Sequence, residues 1–314
     1  MTFAAHSVLA TAFAEGFELA GLTPARPHPD HTRHLSWVSR GLAAGMSYLT
    51  DHRATLRSDP RLIFPEAKTL LCVAKLYKTP GPASHTQTPP GHGYVSRYAW
   101  GEADYHDLLG SALHRVAARL RAEFRSEFPY RVAVDTAPLL ERSYARSAGL
   151  GWIGKNTCLI NEPRGSWFFL GELFLPFPVS DYGTPPPDRC GSCTRCIDAC
   201  PTAAIVEGPE GWELDSNRCI SYWTIEARQQ APPDLQRAFG PHLFGCDICQ
   251  DVCPWNSKAP TTSEEGFQPR HPFPPLEPLS PSEFRDRFRQ TPITRANAEG
   301  WNRNVLAALK NQAE

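Results

Sequence analysis

Residues 190–201 read Cys-Gly-Ser-Cys-Thr-Arg-Cys-Ile-Asp-Ala-Cys-Pro, and residues 246–254 read Cys-Asp-Ile-Cys-Gln-Asp-Val-Cys-Pro. The first run has the cysteine spacing of bacterial two-cluster ferredoxins, ending in Cys-Pro. Three thiolates two residues apart wrap three corners of one cubane. The fourth, carried past by a turn, points to a different cluster. The spacing therefore assigns Cys190, Cys193 and Cys196 to one 4Fe–4S cluster, completed by Cys253 from the second run. Cys246 and Cys249 then need two partners. The crossing rule supplies Cys200, and Cys219 is the remaining cysteine of the segment. The competing readings are paired zinc knuckles or inert thiols. Zinc sites show two CxxC pairs across a longer spacer, which a three-cysteine run followed by Cys-Pro does not match. Two clusters in series imply low-potential electrons delivered elsewhere in the chain.

Working outward, the chain has 314 residues, enough for two or three domains, and 41% of them are hydrophobic. Its formal net charge of −1 excludes a uniformly basic nucleic-acid coat but leaves room for a local basic patch. No apolar run approaches the roughly 18–20 residues of a membrane span. The first fifteen residues lack a basic start and carry Glu15, so they do not read as a signal peptide. The expected location is the cytoplasm, whose reducing conditions favour metal-ligand cysteines over disulfides.

The segment before the cysteines alternates helices and strands. An apolar stripe of Leu9, Phe13 and Phe17 predicts a first helix, and Ser36–Tyr48 a second. Thr69–Leu76 reads as a buried strand and Lys78–Gly93 as a loop. A helix is expected over Asp107–Phe124, with Leu109, Leu113, Val116, Leu120 and Phe124 on one face. Strands are expected at Arg131–Val134 and Ser166–Phe177, and a helix at Leu139–Ala148 capped by Gly149. The fold class is thus α+β or α/β. A mixed N-terminal domain spans residues 1–179, a ferredoxin-like two-cluster domain 180–262, and a proline-rich segment with a helical tail 263–314.

Asp135 ends a short strand and faces a loop, a common place for a catalytic carboxylate. A helix N-cap is the equal alternative. The glycines of Gly149-Leu-Gly-Trp-Ile-Gly154 permit close backbone approach to a ligand but fit no nucleotide fingerprint. Cys72 reads as a buried small hydrophobe; Cys158 is either core or near a cofactor.

The segments VDTAPLLERSYARSAGLGWIGKNTCLI, SRYAWGEADYH, RCISYWTIE and FGCDICQDVCPWN, with the ferredoxin runs between them, together resemble epoxyqueuosine reductase. The resemblance runs in order from about Arg57 to Asn311. That family is cobalamin-dependent and iron–sulfur-containing, and it modifies tRNA. The chain is similar to its short form, without the C-terminal HEAT-like domain. The resemblance implies reduction of epoxyqueuosine to queuosine in the anticodon loop, the last step of queuosine biosynthesis. It implies two 4Fe–4S clusters and a cobalamin, with Asp135 as proton donor. It also places Arg57, Tyr98, Lys155, Asn156, Cys158, Ser221 and Asp247 around the corrinoid. Partners implied are a tRNA carrying epoxyqueuosine and an external low-potential electron donor, with no membrane and a monomeric protein.

Such a deoxygenation takes two electrons and two protons. Asp135 can serve as the acid only if burial or a neighbour raises its pKa. The tail from Glu283 to Lys310 carries a local excess of positive charge, and Arg287, Arg289 and Arg295 are candidate tRNA contacts. The alternative is a solvated amphipathic helix with Phe284, Phe288 and Leu306 packed inward. Other function classes are a reductive dehalogenase-like corrinoid enzyme and an electron-transfer ferredoxin. The first is disfavoured by the VDTAPLLER segment, the second by some 180 residues ahead of the clusters.

Overall fold

The computed structural model describes residues 2–80 and 85–313. Of the expected loop at Lys78–Gly93, positions 81–84 lie outside the described residues. At the centre is a four-stranded sheet whose spatial order is Leu19–Pro24, Thr69–Leu76, Phe168–Leu175, Arg131–Ala133. Every pairing is antiparallel. Of the two expected classes the observed one is α+β, with helices laid on an antiparallel sheet.

Period-two alternation sorts the central strands onto two cores. Leu71, Val73 and Leu173 join the core under the long helix Tyr105–Phe124, which contributes Leu109, Leu113, Val116 and Leu120. Leu70, Cys72, Ala74 and Phe174 face the other way, toward Tyr144 and Ala145 of the helix Glu141–Ser147. Asp104 caps the long helix by accepting from the His106 amide. That cap fixes Tyr105 and His106 in its first turn.

The first helix runs Ala5–Ala14 but turns Ala5, Val8 and Ala12 inward, leaving Phe13 50% exposed. Of the expected stripe, Leu9 packs against the core and Phe17, just past the helix end, is buried in it, so only Phe13 points away. The second helix is Asp30–Ser39 rather than Ser36–Tyr48. Left-handed conformations at Gly41 and Ala44 end it early. The strand Leu19–Pro24 escaped prediction because it carries Gly21 and Pro24. Gly21 is required there: a Cβ would lie 2.1 Å from the Ala148 carbonyl oxygen.

The helix Asp30–Ser39 docks on the hairpin Ile205–Gly208/Gly211–Leu214. Trp37 Nε1 donates to the Leu214 carbonyl at 2.7 Å, and Arg40 pairs with the buried Glu213. In the tail, Pro281–Phe288 and Asn297–Ala313 are helical. Phe284, Phe288 and Trp301 pack with Tyr94, Trp100 and Phe244, so one apolar core joins all three sequence segments. Phe284 and Phe288 point inward as the amphipathic reading required, but Leu306 is 60% exposed.

Candidate active site and cysteine cavities

The strand Arg131–Ala133 leads into a tight turn at Asp135. The Thr136 amide donates back to the Val134 carbonyl at 2.6 Å, and Asp135 sits at φ +55°. This conformation is strained for a residue with a side chain. The following helix begins at Glu141 with Leu140 at its N-cap, so the capping role for Asp135 falls away. Its amide instead donates to Glu141 Oε1 at 2.7 Å.

The Asp135 carboxylate accepts from the Tyr105 hydroxyl at 2.9 Å and from His106 Nε2 at 3.3 Å. Arg295 Nη1 lies 3.8 Å away. His106 is held from its other side by Asp104, 2.6 Å from Nδ1. Burial alone would lower the His106 pKa, but the two flanking carboxylates outweigh it and raise it to about 9. For Asp135, burial pushes upward, yet the His106 and Tyr105 hydrogen bonds and the His106 and Arg295 charges prevail and pull the carboxyl below its ordinary range. The expected elevation is therefore reversed. At rest the proton sits on His106, and Asp135 is the ionised partner.

These groups open on a pocket of about 480 Å³, whose walls include Tyr48, Tyr98, Ile225, Glu226 and Pro292. Ile225 and Glu226 belong to a π-helical turn, Tyr222–Glu226, three residues after Cys219. Arg295 bridges the pocket, donating to Glu226 at 2.8 Å. The resemblance grouped Tyr98 with Asp135, and both line this pocket. It missed Tyr48, Tyr105, His106 and Glu226, which come from distant segments. The quoted SRYAWGEADYH stretch held Tyr105 and His106 without any spacing signal to single them out.

The cysteines fall into two groups. Cys190, Cys193, Cys196 and Cys253 line one cavity of about 300 Å³. Cys200, Cys219, Cys246 and Cys249 lie close enough for mutual charge coupling. The donor chemistry fits polynuclear clusters. Among the described residues no three His, Cys, Asp or Glu side chains converge tightly enough for a single ion, whereas a cubane needs a wider cage. The buried indole N–H of Trp152 finds no oxygen or nitrogen acceptor and lies against the Cys190 sulfur, as a donor to a cluster thiolate would.

Several residues expected around a corrinoid do not line this pocket. Lys155 Nζ donates to the carbonyls of Gly191 and Cys193 at 2.7 and 3.0 Å, so it braces the first cysteine loop. Asn156 is buried in the same wall and donates to the Cys249 carbonyl. Cys158 contacts Cys249, and Ser221 contacts Cys219, placing both beside the second group. Asp247 is buried and accepts from the Tyr94 and Ser96 hydroxyls and the Arg97 amide, at 2.8, 2.5 and 2.6 Å. It is a clamp tying the second cysteine loop to the segment before Tyr98. Arg57 reaches the pocket only through the Tyr48 carbonyl, 3.0 Å from Nη1. Of the three tail arginines, Arg295 is a pocket residue and Arg287 pairs with Glu277. Arg289 alone stands clear on the surface, so the three do not form one stripe.

A family model described as "Epoxyqueuosine reductase QueG, DUF1730" matches residues 57–136, and one described as a 4Fe-4S double cluster binding domain matches 189–256. The chain is 42% identical to epoxyqueuosine reductase of Xanthomonas campestris pv. campestris, covering 99% of this chain and 87% of that one. It is 37% identical to that of Escherichia coli K12, covering 94% and 78%. A crystal structure of epoxyqueuosine reductase with an epoxyqueuosine-modified tRNA-Tyr stem loop is similar with a TM-score of 0.87 and 29% identity, over 98% of this chain and 81% of that one. The Bacillus subtilis enzyme, with its catalytic aspartate loop swung out of the active site, gives 0.85 and 28% over the same shares.

Proposed function

The chain belongs to the epoxyqueuosine reductase family, and from that premise we propose how its residues divide the work. It reduces epoxyqueuosine to queuosine in tRNA. Both C–O bonds of the epoxide break, an alkene forms, and the oxygen leaves as water after gaining two electrons and two protons. Electrons pass through the double 4Fe–4S domain. The ligand sets are Cys190, Cys193, Cys196 and Cys253 for one cluster, and Cys200, Cys219, Cys246 and Cys249 for the other. An external low-potential donor supplies the electrons to a monomeric protein in the cytoplasm.

The corrinoid is assigned to the pocket at Asp135. Tyr48, Tyr98, Ile225 and Pro292 give apolar walls for a flat ring, and the π-helical turn brings that wall next to the second cysteine group. Bound there, cobalamin would supply the two-electron reduction at the epoxide carbon. The protein supplies the proton. Asp135 is the group facing the pocket, and His106 holds the proton that Asp135 passes on, with Tyr105 fixing the carboxylate's orientation. Arg295 and Glu226 close the opposite side and keep Asp135 aimed inward.

One observation carries this reading: a carboxylate reached by a phenol, an imidazolium and a guanidinium at the mouth of a pocket adjoining the inner cysteine group. The test is anaerobic reconstitution with iron, sulfide and cobalamin, then assay on tRNA carrying epoxyqueuosine. Queuosine formation that requires added cobalamin supports it. Full turnover by the iron–sulfur protein without a corrinoid overturns the cofactor assignment.

A further inference from the structure

Glu172 lies in the middle of the strand Phe168–Leu175, opposite Cys72 on one side and Ala133 on the other. It is 0% exposed, and neither carboxyl oxygen meets a hydrogen-bond donor among the described residues. Strand alternation turns it toward the helix Glu141–Ser147, whose first residue is Glu141. The two carboxyl groups face each other. A buried carboxylate without a positive partner is too costly to keep ionised. Glu172 is therefore an acid whose O–H has one acceptor in reach, the Glu141 carboxyl. The other Glu141 contact is the Asp135 amide, 2.7 Å from Oε1.

We propose that Glu141 and Glu172 form a buried carboxyl pair that retains a proton at neutral pH, and that this pair pins the strained Asp135 turn so that its carboxylate points into the pocket. Glu141 is thus a positioning residue for Asp135, and Glu172 anchors Glu141. The inference deepens the proposed function and rests on the role given there to Asp135. Without the pin, a side-chain-bearing residue at φ +55° would relax toward an ordinary conformation and carry the carboxylate away from His106.

The surroundings agree. The charged and titratable groups facing the pair are Asp135 from the turn, Arg142 from its own helix, Cys72 from the neighbouring strand and Tyr105 from the long helix. Arg142 is the one cation, and it is engaged with the Thr157 carbonyl. Burial first, and then the neighbouring carboxylates, push both glutamates up, to about 8 for Glu141 and well above the ordinary range for Glu172. Two carboxyl groups this close titrate as a unit.

The experiment uses the full reconstituted protein and three readouts. Infrared spectroscopy at neutral pH should show the carbonyl stretch of an un-ionised buried acid, retained in Asp135→Asn and lost in Glu172→Gln. Amide exchange at residues 134–137 should lose protection in Glu141→Ala and keep it in Glu141→Gln, which preserves an acceptor. Turnover of Glu141→Ala should fall by roughly a hundred-fold in kcat, the scale of a small misplacement, with KM for tRNA near the parent. Glu141→Gln should restore it to within a few-fold. Absence of the acid band, or unchanged protection in a folded Glu141→Ala, overturns the pair. Near-parental turnover of Asp135→Asn would overturn the role of Asp135 and leave the infrared and exchange results standing. Should Glu141→Ala fail to fold, the near-isosteric Glu172→Gln still decides through its band.

Discussion

The two cysteine groups hold the same number of sulfurs in different surroundings. Around the first, Gly191, Ser192, Thr194 and Arg195 between the cysteines are exposed. Around the second, Gly245, Asp247 and Ile248 are buried, and Asp247 is sewn to the segment leading to Tyr98. The first group therefore faces solvent and the second faces the pocket. Under the proposed function, electrons enter at the outer loop and leave at the inner one, beside the π-helical turn that also builds the pocket wall. Burial pushes up thiols in both groups, Cys190, Cys196 and Cys253 as well as Cys219 and Cys246, so ionising either set needs the positive charge of iron.

The sharpest way to break this comparison is Cys219→Ala. It removes one inner ligand and leaves the outer four in place. Iron content should fall toward half, the outer cluster's EPR signal should persist, and turnover should drop to background because the relay ends short of the pocket. Two intact signals in this variant would show that Cys219 is not a ligand.

Asp135→Asn acts on the pocket side alone. Both clusters should bind as in the parent, since the turn and the cysteine loops share no hydrogen bond with the Asp135 side chain. Turnover should fall by roughly 10²–10⁴-fold, the span for a lost general acid. Single-turnover alkene formation with prereduced protein separates this from slow electron delivery. Parental rates would move the proton donor to Tyr98 or a bound water.

The contrast between cysteines and pocket also explains what the chain made legible. Cluster ligation is a local chemistry, because three sulfurs of one cluster sit within seven residues; spacing, and elimination for Cys219, gave the same two groups of four that lie together in the structure. Thr69–Leu76 and the long helix were equally readable, since each writes one period over many residues. The pocket is assembled from positions 48, 98–106, 135, 225–226 and 292–295, and no local pattern records that meeting. His106 falls just ahead of the expected helix Asp107–Phe124, and no spacing in the sequence brings it to Asp135. Arg295 looked like its neighbours Arg287 and Arg289 because composition does not say which way a tail folds back. The resemblance singled out Asp135, which lines the pocket. The direction of its pKa depends on three partners the sequence scatters.

A smaller effect comes from His106. Its folded pKa of about 9 exceeds the ordinary imidazole value of 6.5. Its protonation thus stabilises the fold fully below 6.5, and this contribution is lost as pH rises to about 9. In His106→Gln the Tm difference from the parent should shrink across that window. The parent's turnover should fall as pH rises through about 9, because the stored proton leaves. The variant should lack that limb and run about 10²-fold slower at neutral pH. An unchanged alkaline limb in His106→Gln would assign it to another group.

The smallest effect concerns the tail and separates two arginine roles that composition merges. Arg287 forms an exposed pair with Glu277, worth little in water and easily exchanged for a phosphate. Arg289 is exposed at the end of the same helix. Changing both to Ala should lower the slope of log affinity against log salt by at most about 2, the release expected from two phosphate contacts. It should leave kcat at saturating tRNA unchanged. Arg295→Ala should do the reverse, because this guanidinium is committed to Asp135 and Glu226. The salt slope should hold while kcat falls. A flattened slope from Arg295→Ala with unchanged kcat would mean that its side chain leaves the pocket to meet the tRNA backbone, and the inward aim of Asp135 would then rest on Tyr105 and His106 alone.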